Sequence, residues 1–210
     1  MGDTLPEQLN AFNSHILLNA RCRKAEGGRM HDVKLSDGVV TLSPPCLDDV
    51  DEHLAGEDEQ LVRWLSGGPG TREGTEVYFR HCIEQWATRG PLRAFGIRVT
   101  AGSTLAGYID LRFDVAGLAP GQANISYGLY PAWRGQGLVT RAVRLICRYA
   151  AAEGVTQGVI RVDPENSRSA AVARRSGFTY DKRVPEADGN QCDWYVRSLT
   201  AHRVSTPRPR

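Results

Sequence analysis

The spacing of apolar residues along the chain predicts strands and helices in a mixed order. Apolar runs of strand length occur at 39–42, 92–100, 105–115, 123–130, 155–162, 178–184 and 193–199. Apolar residues three and four apart predict helices at 48–65, 71–88 and 139–150, and a short helix that opens at Asn166 or Ser167. Three successive strands, followed by alternating helices and strands, indicate an α/β (α+β) domain on one mixed sheet, not a doubly wound one.

The length of the chain sets its domain organisation. With 210 residues, it can form one substantial core but is short for two full domains. Residues 1–36 are polar and contain Gly27-Gly28, which predicts an N-terminal extension of the kind that is often flexible. Residues 37–200 hold all the predicted strands and form the expected domain. Residues 201–210 form a basic C-terminal tail.

Composition and charge narrow the classes of function. The hydrophobic and charged fractions of 41% and 24% are ordinary for a soluble globular protein. Lys and Arg number 26 against 24 for Asp and Glu, so we expect no nucleic-acid partner. The chain lacks both a run of about 18 apolar residues and a signal region. Neither membrane insertion nor secretion is therefore predicted.

The cysteines and histidines indicate where in the cell the protein is located and whether it binds a metal ion. The five cysteines are odd in number and form no CxxC pair, which favours reduced thiols in the cytoplasm. The five histidines share no ligand spacing. We therefore predict a cytoplasmic protein without a metal site.

A glycine-rich loop between a predicted strand and helix is the clearest sign of chemistry. This glycine loop consists of Arg134, Gly135, Gln136, Gly137, Leu138, Val139 and Thr140. Glycines let the backbone approach a phosphate, and the following helix adds free N–H groups and the positive end of its dipole. We therefore expect these seven residues to bind a pyrophosphate.

Two other kinds of phosphate-binding loop do not fit these residues. A Walker loop has Lys and then Ser or Thr after its last glycine, whereas Gly137 is followed by Leu138 and Val139. A dinucleotide fingerprint needs a third glycine or alanine and an acidic residue on the next strand, and neither is in place. A strand-to-helix turn without a ligand is the simplest alternative.

A second motif adds a family resemblance. Asn166-x-x-Ser169 is followed by Gly177-Phe178. Together with the glycine loop, it resembles the GNAT acyltransferase superfamily, whose loop reads Arg or Gln, two residues, Gly, one residue, then Gly or Ala. Val139 stands where that last small residue is usual.

Segments 127–131 and 193–199 are similar to the RimJ/RimL branch of this superfamily, and the likeness covers about residues 39–200. The resemblance implies the GNAT fold, a mixed and mostly antiparallel sheet of six to seven strands with splayed central strands. It implies an enzyme that transfers an acetyl group from acetyl-CoA to a primary amine by direct attack on the thioester. The acceptor would be a protein N-terminus or a small-molecule amine, and the protein a monomer or homodimer.

The resemblance also assigns roles to residues of this chain. Backbone N–H groups of Leu129 and Tyr130, where the strands part, would stabilise the oxyanion. Asn166 would contact the pantetheine arm, and Ser169 would protonate the leaving thiolate. Without a ligand, Asn166 would only cap a helix and Ser169 would only lie in its first turn. Arg174 and Arg175 follow Asn166 by about two turns and would for that reason approach the 3′-phosphate of coenzyme A, unless they belong to a solvated basic face.

The proton-transfer groups of the family are not all present. Many relatives carry a tyrosine seven residues after the asparagine, where this chain has Ala173, and a glutamate where it has Asn124. Asp110 on the central hairpin and Asp193 on the last strand are candidate bases by location, although exposed carboxylates on strands are usually solvated. Water alone would suffice for a weakly basic acceptor.

Several alternatives stay open from the sequence. Val139 and the missing glutamate leave room for a longer donor such as succinyl-CoA, or for a module that senses acyl-CoA without turnover. An acidic run at 48–59 would suit a cationic antibiotic or metabolite. Trp64, Phe79 and Trp86 belong either to an acceptor pocket or to the core. An α-amine of pKa about 8 is far more often unprotonated at neutral pH than a lysine amine of about 10.4, which favours α-amino acceptors.

Overall fold

The computed structural model describes residues 33–66, 68–99, 104–186 and 189–200, and it confirms the predicted mixed α/β fold. Its strands are β1 Leu35–Ser36, β2 Thr41–Ser43, β3 Leu92–Val99, β4 Thr104–Arg112, β5 Gln122–Leu129, β6 Gln157–Val162, β7 Thr179–Pro185 and β8 Gln191–Ser198. Within the described residues they form one sheet in the order β1-β2-β3-β4-β5-β6-β8-β7. The additional strand is β1, which lies before the expected domain start at residue 37.

Neighbouring strands are antiparallel, except that β5 and β6 are parallel. The pairs that join β5 to β6 are Gln122–Gln157, Ala123–Gly158 and Asn124–Val159. Both strands continue, to Leu129 and Val162, without further pairing to each other. The predicted splay is therefore present, and it opens a gap between the ends of β5 and β6.

Five α-helices flank the sheet in the described ranges: α1 Val50–Gly56, α2 Glu59–Leu61, α3 Arg72–Thr88, α4 Leu138–Ala152 and α5 Ser167–Arg175. No helix among them combines the length and apolar character needed to span a membrane. α4 packs on β4 and β5, while α1 packs on β4 and α3 on β3.

The single helix predicted at 48–65 is wrong, because the chain interrupts it. α1 ends at Gly56, and Asp58 starts a new helix by accepting a hydrogen bond from Leu61 N at 3.1 Å. A π-helical turn, Val62–Ser66, follows directly. The apolar spacing continues through the interruption, so periodicity alone does not reveal the cap.

The two faces of the sheet carry different helices. Ile109 of β4 belongs to the main core with Ile146 of α4, whereas the neighbouring Tyr108 ring lies 5.3 Å from the Phe79 ring of α3. Successive side chains on a strand point to opposite faces, so α4 covers one face and α3 the other. Phe79 and Trp86 are 1% and 8% exposed, and both are core residues.

A buried ion pair holds the turn before α1 to the sheet. Asp49 is 4% exposed, and its two carboxylate oxygens accept hydrogen bonds from Arg98 Nη2 of β3 at 2.8 and 2.7 Å. Arg98 Nε also donates to Ser43 Oγ of β2 at 2.9 Å. Loss of either charged partner would leave the other buried without compensation.

Asp49→Ala is expected to lower the free energy of unfolding by about 3 kcal/mol, because it leaves the buried Arg98 guanidinium unpaired. Asp51→Ala is the matched control, since Asp51 pairs with Arg72 at the surface and an exposed pair contributes at most about 1 kcal/mol. Urea denaturation measures both losses. Equal losses would contradict the special role of the Asp49 pair.

Candidate active site

A cavity of about 1040 Å³ lies where β5 and β6 part. Its walls come from the ends of both strands, the glycine loop, the first turn of α4, α5, and the segment that precedes α3. Ser126 and Tyr127 both line it, although consecutive residues of a strand point to opposite faces. The cavity therefore passes through the sheet at the gap.

The glycine loop brings backbone N–H groups to this cavity. Gly135 and Gly137 have φ of 76° and 75°, a region in which a side chain is strained. No atom lies within 4 Å of a Cβ built at either glycine, so the space beside them is open. No side chain caps α4, so its first-turn N–H groups lack intrahelical partners. Leu138, Val139 and Thr140 of that turn line the cavity.

This end of the cavity can hold an anion. The N-terminus of α4 supplies free N–H donors and a positive dipole end. Arg168 and Arg175 also line the cavity, and Asp163 is the single carboxylate among the described lining residues. Of the two arginines expected near the 3′-phosphate, Arg175 lines the cavity, whereas Arg174 is not among the lining residues and its Nη1 donates to Tyr195 Oη at 3.2 Å. Arg168, which the sequence did not indicate, lines the cavity as well.

Arg134 lines the cavity, but its guanidinium is bound to protein partners. Nη1 and Nη2 donate to the two carboxylate oxygens of Asp58 at 2.6 and 2.7 Å. Nη1 also donates to Gln60 Oε1, and Nε donates to Leu129 O, both at 2.9 Å. The Arg134 hydrogen bonds hold the pKa of Asp58 below its usual value. Gln136 lies outside the cavity lining and donates to a backbone oxygen of the preceding turn.

Residues 58–66, which we call the roof segment, cover the gap. Gln60 Oε1 also accepts a hydrogen bond from Arg168 Nη1 of α5 at 3.1 Å. Arg63 Nη2 pairs with Glu165 Oε2, just before α5, at 2.6 Å. The roof segment is thus joined to both walls of the cavity.

The roof segment meets β5 at Gly128. A Cβ built at Gly128 would lie 2.6 and 2.5 Å from the methyl groups of Leu61 and Leu65, so a side chain at this position would require both leucine side chains to shift. Trp64, expected in an acceptor pocket or in the core, lines the cavity from the same turn. Leu61 and Leu65 were not predicted as site residues, although a glycine inside a predicted strand signals a close approach.

The two predicted oxyanion donors differ in their bonding. Tyr130 N donates to Ala106 O of β4 at 2.9 Å, and the buried Tyr130 Oη lies 2.9 Å from His53 Nδ1. Because N–H groups alternate between the two edges of a strand, the N–H of Leu129 points away from β4 and into the gap. Leu129 lines the cavity and Tyr130 is not among the lining residues. The structure therefore leaves Leu129 as the available donor.

Asn166, Ser169 and Tyr127 meet at the N-terminus of α5. Asn166 Oδ1 accepts from Ser169 N at 3.0 Å and caps the helix, and all three residues line the cavity. Tyr127 Oη lies 3.0 Å from Ser169 Oγ and 3.1 Å from Ser169 O. Burial raises the pKa of Tyr127 to about 12, so the phenol stays protonated at neutral pH. Ala173 is fully buried and brings no polar group.

The two candidate bases lie outside the cavity lining. Asp193 on β8 accepts from Arg183 at 2.6 and 3.0 Å, and these bonds hold its pKa below the usual value. Asp110 on β4 accepts from Arg112 Nε at 3.4 Å, and burial raises its pKa. The structure gives Asp193 no access to the cavity, whereas Asp110 is one strand away from it.

The glycine loop lies at the gap of a splayed mixed sheet, which is the arrangement that the resemblance to the GNAT superfamily implied. The family model described as an acetyltransferase (GNAT) domain matches residues 40–179. This match covers more than half of the chain, which therefore belongs to the GNAT acetyltransferase family. The predicted superfamily and enzyme class are confirmed.

Solved structures of similar fold include three acetyltransferases. RimL, a ribosomal L7/L12 α-N-protein acetyltransferase in complex with coenzyme A, is 20% identical with a TM-score of 0.68, over 79% of this chain and 98% of that one. The Salmonella typhimurium enzyme that modifies the N-terminal serine of L7/L12 is 21% identical with a TM-score of 0.65, over 76% and 95%. The Microcin C7 self-immunity acetyltransferase MccE, in complex with acetyl-CoA and AMP, is 20% identical with a TM-score of 0.66, over 80% and 99%.

Among curated proteins, no sequence matches this chain significantly. At the identities above, the likeness to the solved structures shows the fold alone. The substrate must therefore be argued from the residues of this chain.

Asp58→Ala is expected to lower the free energy of unfolding by about 1–2 kcal/mol at neutral pH, because it removes a helix cap and a two-point ion pair. Since Arg134 lowers the folded-state pKa of Asp58, this stabilisation is present above the ordinary pKa of 3.8 and is lost as the pH falls through the lower folded value. Denaturant unfolding across that range measures the difference. Asp48→Ala, an exposed aspartate nearby, should show little loss, and a pH-independent loss for Asp58→Ala would contradict the ion-pair account.

Proposed function

We propose that this protein transfers an acetyl group from acetyl-CoA to a primary amine, which attacks the thioester directly. The observation that carries the proposal is the uncapped N-terminus of α4, which opens on a cavity of about 1040 Å³ that passes through the gap between β5 and β6. Acetyl-CoA as the acetyl donor agrees with two solved structures whose fold this chain shares. RimL is in complex with coenzyme A, and MccE is in complex with acetyl-CoA.

The residues of the cavity fit the parts of acetyl-CoA. The glycine loop offers backbone N–H groups to a pyrophosphate, in space that the two glycines leave open. Arg168 and Arg175 offer guanidinium groups to the 3′-phosphate. Asn166 uses Oδ1 for the helix cap, so its Nδ2 is the atom that can donate to a pantetheine carbonyl.

The same cavity provides groups for acyl transfer. Such a reaction needs a donor for the developing oxyanion and a proton for the leaving thiolate. The Leu129 N–H points into the gap and serves the oxyanion. Ser169 Oγ carries one proton and lies 3.0 Å from Tyr127 Oη, and either hydroxyl can donate in this hydrogen bond. When Tyr127 donates to Ser169 Oγ, the Ser169 proton is free to point toward the sulfur. Tyr127 then replaces the proton that Ser169 gives up.

The acidic run near α1 does not favour a cationic drug as acceptor. Asp49, Asp51 and Asp58 each pair with an arginine. Glu52 and Glu57 each accept a backbone N–H. An α-amine is the better acceptor, because more of it is unprotonated at neutral pH. RimL and the Salmonella enzyme act on a protein N-terminus, which supports the same acceptor class here.

The cysteines support a cytoplasmic location for this enzyme. Those in the described ranges, Cys46, Cys82, Cys147 and Cys192, are free. Burial raises the pKa of Cys82 to about 12 and the pKa values of Cys147 and Cys192 to about 11. Such thiols are unreactive, as expected for packing residues in a reducing compartment.

Release of free coenzyme A thiol tests the proposal. Acetyl-CoA is incubated with peptides that bear free N-termini and, separately, with small amines and aminoglycosides, while calorimetry measures acetyl-CoA binding. Release with the peptides is expected. Release with the small amines alone would shift the acceptor to a metabolite or drug. Binding without release in either pool would favour an acyl-CoA sensor, or a longer acyl donor such as succinyl-CoA.

Gly137→Ala is expected to weaken acetyl-CoA binding at least about tenfold, because the substitution distorts the loop that presents the N–H groups. Gly154→Ala is the matched control, since Gly154 follows the other end of α4 with φ of 89° and open space around it. Both substitutions impose about 1–2 kcal/mol of backbone strain. Calorimetry should show lost affinity for Gly137→Ala alone, and equal affinities would contradict the assignment of the loop.

Ser169→Ala and Tyr127→Phe are each expected to lower kcat about 100-fold, because they remove the proton supply to the thiolate. Acetyl-CoA affinity should change little, since neither hydroxyl is needed for the phosphates. Ser198→Ala serves as the control, because Ser198 is an exposed residue outside the cavity lining. Equal losses in affinity and rate would assign these hydroxyls to donor binding instead.

A further inference from the structure

Strand β5 carries polar side chains on both faces where the cavity crosses the sheet. Tyr127 faces α5 and contacts Ser169. Ser126, the preceding residue, faces the other side and also lines the cavity. The proton supply described above uses the first face only. The second face is where an acceptor amine would lose a proton.

Hydrogen-bond directions define what Ser126 can do. Asn124 Nδ2 donates to Ser126 Oγ at 2.9 Å, so Ser126 directs its own proton elsewhere. Asp110 of β4 lies directly opposite Ser126 in the strand register, which places their side chains on one face. Hydrogen bonding from Ser126 acts to lower the pKa of Asp110, against the larger effect of burial, which raises it. The strand register therefore places Asp110 on the same face of the sheet as Ser126, which accepts a hydrogen bond from Asn124.

The surroundings of Asp110 suit a proton acceptor. Arg112 beside it stabilises the carboxylate, and Asp114 disfavours it. Tyr78 and Cys82 approach from α3, and burial raises the pKa of both groups, to about 12 for Cys82 and well above the usual value for Tyr78. Both are therefore uncharged at neutral pH. Asp110 is the carboxylate of this group that lies opposite Ser126, and Ser126 lines the cavity.

We propose that Ser126 accepts a proton from the acceptor ammonium while passing its own proton to Asp110, so that a serine–aspartate relay acts as the base. The proposal rests on the proposed acetyl transfer. The neutral amine then forms the C–N bond, the C–S bond breaks, and the thiolate takes a proton from Ser169. The second amine proton passes to water as the amide forms, solvent restores the proton of Tyr127 and thereby that of Ser169, and Asp110 returns its proton to solvent through Ser126.

Ser126→Ala and Asp110→Asn test the relay with acetyl-CoA and two acceptors. With a peptide bearing an N-terminal serine, both variants should lose about 100-fold in kcat/KM at neutral pH. The wild-type rate should fall as the pH drops through the raised pKa of Asp110, and this dependence should disappear in both variants. Ser126→Thr keeps the hydroxyl and should retain the wild-type profile. Asp181→Asn, an exposed β7 aspartate, is the control.

Hydroxylamine as the second acceptor distinguishes two roles of Ser126, which are removal of a proton from the acceptor and positioning of the acceptor. It is already unprotonated at neutral pH, so it needs no base before attack. Ser126→Ala should therefore lose much less rate with hydroxylamine than with the peptide. Equal losses for the two acceptors would overturn the relay and leave Ser126 with a positioning role.

A carboxyl NMR titration keeps the relay testable if Asp110→Asn folds poorly. The pKa of Asp110 should lie above that of an ordinary aspartate and should rise further in Ser126→Ala, because a hydrogen bond to the carboxylate is lost. An unchanged pKa would overturn the relay. If the wild type releases no thiol with any acceptor, the proposed function fails. If the wild type releases thiol and the Ser126→Ala and Asp110→Asn variants release it equally fast, the relay is rejected while the proposed function stands.

Discussion

The parting of β5 from β6 is the constraint on which the rest of the site depends. The strands pair as far as Asn124 and Val159 and then separate. Backbone groups that lose a strand partner must find another or face a ligand. Leu129 O is taken by Arg134 Nε, whereas the Leu129 N–H is directed into the gap. The separation thus creates both the cavity and a donor inside it.

Arg134 connects the elements that surround this gap. Its guanidinium binds the end of β5 through Leu129 O and the roof segment through Asp58 and Gln60, while its backbone belongs to the glycine loop. A charged group bound in this way has little capacity left for a phosphate. The contribution of Arg134 to an anion site is therefore indirect. It fixes the glycine loop, whose N–H groups can contact the anion together with Arg168 and Arg175 of α5.

The sequence could predict what depends on local pattern. Strand alternation and helical spacing indicated the sheet, α3 and α4, and the glycine loop indicated where the candidate anion site lies. The break at Asp58 was missed, because a cap is a single side-chain contact that apolar periodicity does not record. Tyr127 was missed as a partner of Ser169, because the two residues are 42 positions apart and only the fold joins them.

Contacts with other elements also explain why some of the expected site residues lie outside the cavity. Arg174 and Asp193 were placed by position along an element, but the direction of each side chain is set by neighbours on other elements. Arg174 turns to Tyr195 and Asp193 to Arg183. The motif located α5 correctly, and Arg175, the other arginine expected there, does line the cavity wall.

The chemistry of the cavity wall favours direct transfer over a covalent enzyme intermediate. The described residues that line it include no cysteine, histidine or lysine, and the hydroxyls of Ser126 and Ser169 have no imidazole beside them in that lining. A serine nucleophile needs such a base to be activated. Because Ser126 and Tyr127 lie on opposite faces of one strand, the proposed proton removal and proton supply would occur on opposite sides of the gap. An amine and a thioester that entered from those two sides would meet at the Leu129 N–H, where the oxyanion of direct attack would form.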